Sequence, residues 1–87
     1  MPVVLLRAPL RDLAGGNREL KLEGADVTQV VRALEAEWPK TAGWVLDDRG
    51  RVRQHVNVFL NGERVREGDA VGPDDTIHIL ASITGGS

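Results

Sequence analysis

Apolar and polar residues change places along this chain at two distinct periods, and the period assigns the elements. Residues 2–8 carry Val3, Val4, Leu5 and Leu6, and the charge on Arg7 sets their facing. Arg7 belongs in water, so Val3 and Leu5 share its outward face and Val4 and Leu6 point inward. Arg18-Glu19-Leu20-Lys21-Leu22-Glu23 alternates strictly and predicts a second strand with Leu20 and Leu22 on one face, joined to the first by the turn Gly15-Gly16-Asn17. The period then lengthens. Val27, Val30, Val31, Leu34 and Trp38 recur at helical spacing behind Asp26, a good N-cap, with Gln29 three residues on as in a capping box. The spacing predicts one amphipathic helix over about residues 27–37, stopped by Pro39. Residues 40–46 suggest a short turn that buries Trp44 or Leu46.

Alternation returns in Gln54 to Leu60, with Val56, Val58 and Leu60 on one face and His55, Asn57 and Phe59 on the other. Asn61-Gly62 follows and marks a tight hairpin, because both positions of a type I′ turn need positive φ. Glu63 to Arg66 returns as a short strand. Thr76 to Ala81 is the last, with Ile77 and Ile79 inward and His78 and Leu80 outward. Two strands, a helix, two strands and a final strand predict an α+β fold in which one main helix packs across a mixed sheet. The arrangement that fits this order first is the ubiquitin-like β-grasp.

Composition narrows the function classes. Eighty-seven residues make one domain with a small core. The expected division is a β-grasp body over residues 1–84 and a flexible C-terminal tail over 85–87. Net charge is −2, so no general field draws in nucleic acid or an anionic membrane. The apolar run at the start is too short for a membrane span and lacks the basic flank of a secretion signal. With no cysteine, thiolate nucleophiles, disulfides and Cys-based metal sites are excluded. The absence of cysteine fits a reducing compartment, and the expected location is cytoplasmic. His55 and His78 are too few for a protein-only zinc site, so no metal is expected. No catalytic residue and no cofactor of the chain's own are expected either.

Several polar clusters read as solvated structure. Asp47-Asp48 and Asp74-Asp75 have the Gly, Pro and Arg neighbours of turns. Arg49, Arg51 and Arg53 have no aromatic interleaving, which favours a solvated or partner-facing loop over a nucleic-acid site. Gly15-Gly16-Asn17 lacks the spacing and lysine of a phosphate loop. Trp38 and Trp44 fit core or edge packing.

The tail Ala81-Ser82-Ile83-Thr84-Gly85-Gly86-Ser87 carries the chemistry. Glycine has no side chain and reaches backbone angles closed to other residues. A diglycine suits a chain end that threads a narrow tunnel and presents its carboxylate to an enzyme. Joined to the β-grasp order, this tail makes the chain resemble the ubiquitin-like sulfur carriers of the MoaD/ThiS family. Residues 7–15 resemble the stretch that ends the first strand in MoaD-type proteins, and residues 74–80 with Ile83-Thr84-Gly85-Gly86 are similar to their last strand and tail. Residues 51–63 resemble the CysO-like branch.

The resemblance implies a carrier rather than an enzyme. An E1-like enzyme uses ATP to adenylate the carboxylate of the terminal glycine, here Gly86, with Gly85 and Thr84 leading to it. Sulfur then replaces AMP to give a thiocarboxylate. A biosynthetic enzyme for cysteine, a thio-metabolite, thiazole or molybdopterin, or one that thiolates tRNA, accepts the sulfur. Ser87 departs from the family pattern, because it locks the Gly86 carboxyl in a peptide bond. It reads either as a precursor residue removed by a JAMM-type zinc peptidase or as a residue foreign to the mature chain. A proline-rich approach to the diglycine is absent, and Ala81-Ser82 stands there instead.

The outward residues Phe59, His78 and Leu80 form a candidate docking patch, since they lie on and beside the strand that leads to the tail. Two other functions share the fold. One is a protein modifier joined through Gly86 to lysines, although Lys21 and Lys40 alone leave little scope for chains built on itself. The other is a β-grasp binding module whose tail is inert.

Overall fold

The structure is a computed structural model, and it describes residues 1–81. Its elements are β1 (Val3–Leu6), α1 (Leu10–Leu13), β2 (Glu19–Lys21), α2 (Val27–Glu37), a 3₁₀ turn (Pro39–Thr41), β3 (Val56–Leu60), β4 (Glu63–Val65) and β5 (Thr76–Ala81). The five strands form one sheet in the order β2-β1-β5-β3-β4. β1 and β5 run parallel, and the other neighbours are antiparallel. This is the ubiquitin-like β-grasp, with α2 packed across the mixed sheet.

α2 spans residues 27–37 as its pattern predicts. Asp26 Oδ1 accepts from the Gln29 N–H at 2.8 Å, and Gln29 Oε1 accepts from the Ala25 N–H at 2.8 Å. The capping box is thus reciprocal, with its second bond placed one residue ahead of the cap. Gly24 is required just before it, because a Cβ there would stand 2.6 Å from the Val30 nitrogen. At the other end Pro39 holds Trp38 in an extended conformation, φ −128 and ψ 80, and the helix stops.

Val27, Val30, Val31 and Leu34 of α2 pack with Val4, Leu6, Val58, Ile77 and Ile79 of the sheet in one buried cluster. Each such side chain contributes about 1.5–3 kcal/mol on burial. Val4 and Leu6 point inward, as their alternation with the outward Arg7 predicts.

Three local expectations change. β1 is four residues long rather than seven. The connection from β1 to β2 is more than a glycine turn, because α1 forms first. Gly15 and Gly16 then reverse the chain at φ 68 and 82, and the Gly16 N–H caps the Arg11 carbonyl. In the segment after α2, Leu46 is buried as expected. Its companion is Val45, while Trp44 stays 39% exposed.

Candidate functional site

The strand that leads to the diglycine lies at the centre of the sheet. β5 is hydrogen-bonded to β1 on one side and β3 on the other, so its last described residue, Ala81, is held on the body opposite Val56. Thr84, Gly85, Gly86 and Ser87 lie outside the described residues, and so does the expectation of a flexible tail.

At its start β5 is pinned by a polar latch. Asn61 takes φ 50 and Gly62 φ 90, the pair of positive angles expected for this hairpin. Asn61 Oδ1 accepts from the Thr76 N–H at 2.9 Å, and the Asn61 N–H donates to the Thr76 carbonyl at 2.9 Å. Its Nδ2 donates to Asp75 Oδ1 at 2.9 Å, while Asp75 Oδ2 accepts from the Gly72 N–H at 2.7 Å. The Asn61 bond first, and the Gly72 bond second, hold the Asp75 carboxyl below its usual range. Asp75 is therefore a turn residue, as its neighbours suggest. The role of Asn61 as a bracket for β5 was not legible, since it joins residues 14 and 15 positions apart.

The outward side of β5 carries the predicted docking residues. His78 stands between Leu5 of β1 and Phe59 of β3, and Leu80 stands opposite Asn57. The structure thus brings Phe59 and His78 into direct register, with Leu80 two residues along the same face. All three are half-buried, as is Leu5. Side by side on neighbouring strands, these residues form one row across the outward face. Leu5 joins it because parallel pairing with β5 places it there, and only its alternation with Arg7 hinted at that.

Beyond β3 lies a basic corner. Asp47 accepts from the N–H groups of Arg49 and Arg51 at 2.9 and 3.0 Å, a solvated turn as expected. The Arg51 amide is the main cause that holds its carboxyl below the usual range. Trp38 packs against the α1 turn, where a Cβ on Gly15 would meet its ring at 2.7 Å.

Among the described residues, no group of three or more His, Asp or Glu is placed to hold a metal ion. No helix among them is long and apolar enough to cross a membrane.

A central strand that delivers the chain end, with one helix gripped by five strands, defines a small ubiquitin-like protein. The ThiS family matches residues 4–86, a span that takes in Gly85 and Gly86, and the chain belongs to that family. It is 37% identical over 68 residues to small archaeal modifier protein 3 of Haloferax volcanii, covering 74% of this chain and 73% of that one. The crystal structure of SAMP1 from the same organism superposes with a TM-score of 0.84 at 28% identity, covering 97% of each chain. A chain in the crystal structure of the Amycolatopsis orientalis BexX/CysO complex matches with a TM-score of 0.89. That match covers 98% of this chain and 99% of the other, and at 22% identity it shows the fold alone.

Proposed function

We infer that this protein is a sulfur carrier whose working group is the carboxyl of Gly86, freed by removal of Ser87. The observation that supports the reading most is the family match running to residue 86 on a body whose central strand leads to that residue. A carboxylate is a poor electrophile. An E1-like enzyme joins it to the AMP part of ATP with loss of pyrophosphate, and the acyl-adenylate is a good one. A sulfur donor then attacks the acyl carbon, AMP leaves with one of the original oxygens, and Gly86 carries a thiocarboxylate. The acceptor is a biosynthetic enzyme, and this chain supplies recognition and reach rather than catalytic groups. The row of Phe59, His78 and Leu80 is the docking patch in this reading, and a JAMM-type zinc peptidase is the means by which Ser87 is removed.

The test uses the chain ending at Gly86, an E1-like partner, ATP and sulfide. Replacement of one oxygen by one sulfur, seen in the intact mass, is the expected result. Gly86→Val should abolish it. The names of the H. volcanii relatives favour a second reading, a modifier joined through Gly86 to lysines of other proteins. Adducts of higher mass that survive reducing gels would select it.

A further inference from the structure

Four of the nine arginines, Arg51, Arg53, Arg64 and Arg66, line one open groove of about 590 Å³. They come from two places far apart in sequence, the loop before β3 and the edge strand β4 with its continuation. The groove sits at the tail end of the sheet, because Val56 in its lining is the residue paired with Ala81. Val52, Val56 and Val65 give it an apolar floor.

The carboxylates nearby are engaged by main-chain amides. Asp47, which itself lines the groove, is taken by the Arg49 and Arg51 N–H groups, and Glu67 by the Val52 N–H at 2.7 Å, while the charges of Arg51 and Arg53 act on Asp47 and those of Arg51 and Arg66 on Glu67. Among the described residues, Arg51, Arg53 and Arg64 form no ion pair, and Arg66 lies only loosely beside Glu67 at 3.8 Å. Arg53 Nε donates to the Gly43 carbonyl at 2.6 Å, which fixes that guanidinium in place. Four guanidinium groups outnumber the carboxylates of Asp47 and Glu67 beside them, so the cleft is net positive in a chain of net charge −2. The arrangement gains from an anionic occupant with planar groups, which guanidinium binds through two parallel bonds. The valine floor adds a demand for aliphatic contact that a phosphate backbone does not meet, and no aromatic lines the groove to stack a base.

We propose that this groove docks an acidic segment, with aliphatic residues between its carboxylates, on the protein that seats the tail. The identity of that protein rests on the carrier reading above; the ligand chemistry rests on the groove alone.

The direct test is fluorescence anisotropy at low salt with the full chain and a labelled peptide, Asp-Leu-Glu-Asp-Leu-Glu. Binding is expected to weaken as salt is raised and to fall about tenfold or more in Arg51→Glu/Arg64→Glu. Amide shifts should cluster at residues 51–56 and 64–66. The Asn-Leu-Gln-Asn-Leu-Gln peptide should bind far less to the unaltered chain, a control that needs no variant to fold. Undiminished binding by the variant, no binding at low salt, or tighter binding of oligo(dT) at the same residues would overturn the proposal. With an E1-like partner, the variant ending at Gly86 should show raised KM and unchanged kcat. If the parent is charged with sulfur and the variant is charged at the same KM, the docking proposal fails alone. If the parent is never charged while the peptide still binds, the carrier reading fails and the groove chemistry stands.

Discussion

The two ends of β5 are built on opposite plans. At the hairpin end the side chains of Asn61 and Asp75 are spent on the backbone and on each other. Asn61 closes both sides of Thr76, Asp75 closes Gly72, and the Asp75 carbonyl accepts from Val3. At the tail end the strand runs out beside Val56, in the lining of a groove whose Arg51, Arg53 and Arg64 form no ion pair among the described residues. The same strand is thus fixed where nothing is delivered and left with unspent charge where delivery is proposed. Polar residues that look alike in a sequence separate into scaffold and recognition by how much of their bonding capacity the fold has already claimed.

The comparison can be broken or sharpened by substitutions of decreasing effect. Ile79→Ala removes a fully buried side chain that serves both ends, and a loss of about 2–5 kcal/mol is expected in chemical denaturation. Asn61→Ala strikes the hairpin end alone. It leaves the Thr76 N–H and Asp75 without their partner and strains a left-handed position, so about 1–3 kcal/mol should be lost. Sulfur charging of the folded fraction should be unchanged. Arg51→Glu/Arg64→Glu strikes the groove, in which Arg64 stands opposite Phe59 of β3. Both side chains are exposed, so stability should move by no more than about 0.5 kcal/mol while peptide binding falls about tenfold or more.

The smallest effect is in acid. The folded-state pKa of Asp75 lies below its unfolded value, so the folded state binds the proton less readily. Its contribution is complete above the ordinary carboxylate range and disappears as pH falls through the lowered folded value. Asp47 and Glu67 are shifted the same way. Stability should therefore be flat from neutrality to the upper edge of that range and decline below it. Asp75→Asn should shallow the decline, as measured by thermal melts against pH.

Legibility in the sequence followed the range of each interaction. α2 was readable to the residue because Asp26, the valine spacing and Pro39 are local signals. The Asn61-Gly62 hairpin was readable because two positions fix their own backbone angles. α1 was not, since Leu10–Leu13 is too short to show a period and Gly15-Gly16-Asn17 spoke for a plain turn. Between residues 39 and 55 no period exists, so Trp44 or Leu46 was expected as core, and Leu46 is buried while Val45 takes the place offered to Trp44. Phe59, His78 and Leu80 were placed on one face by alternation alone, but their alignment with Leu5 needed the pairing of first and last strands. Arg51 and Arg53 were visible as a charged loop. Their convergence with Arg64 and Arg66 was not, because β4 reaches them through the fold.

The central claim is that Gly86 is the atom-bearing residue, and fragmentation mass spectrometry of the intact chain tests it most directly. The chain ending at Gly86 is treated with activating enzyme, ATP and sulfide, beside the chain that retains Ser87. The account predicts sulfur for oxygen in the C-terminal fragment of the first and no change in the second. Sulfur lodged elsewhere, or equal charging of the form that keeps Ser87, contradicts it.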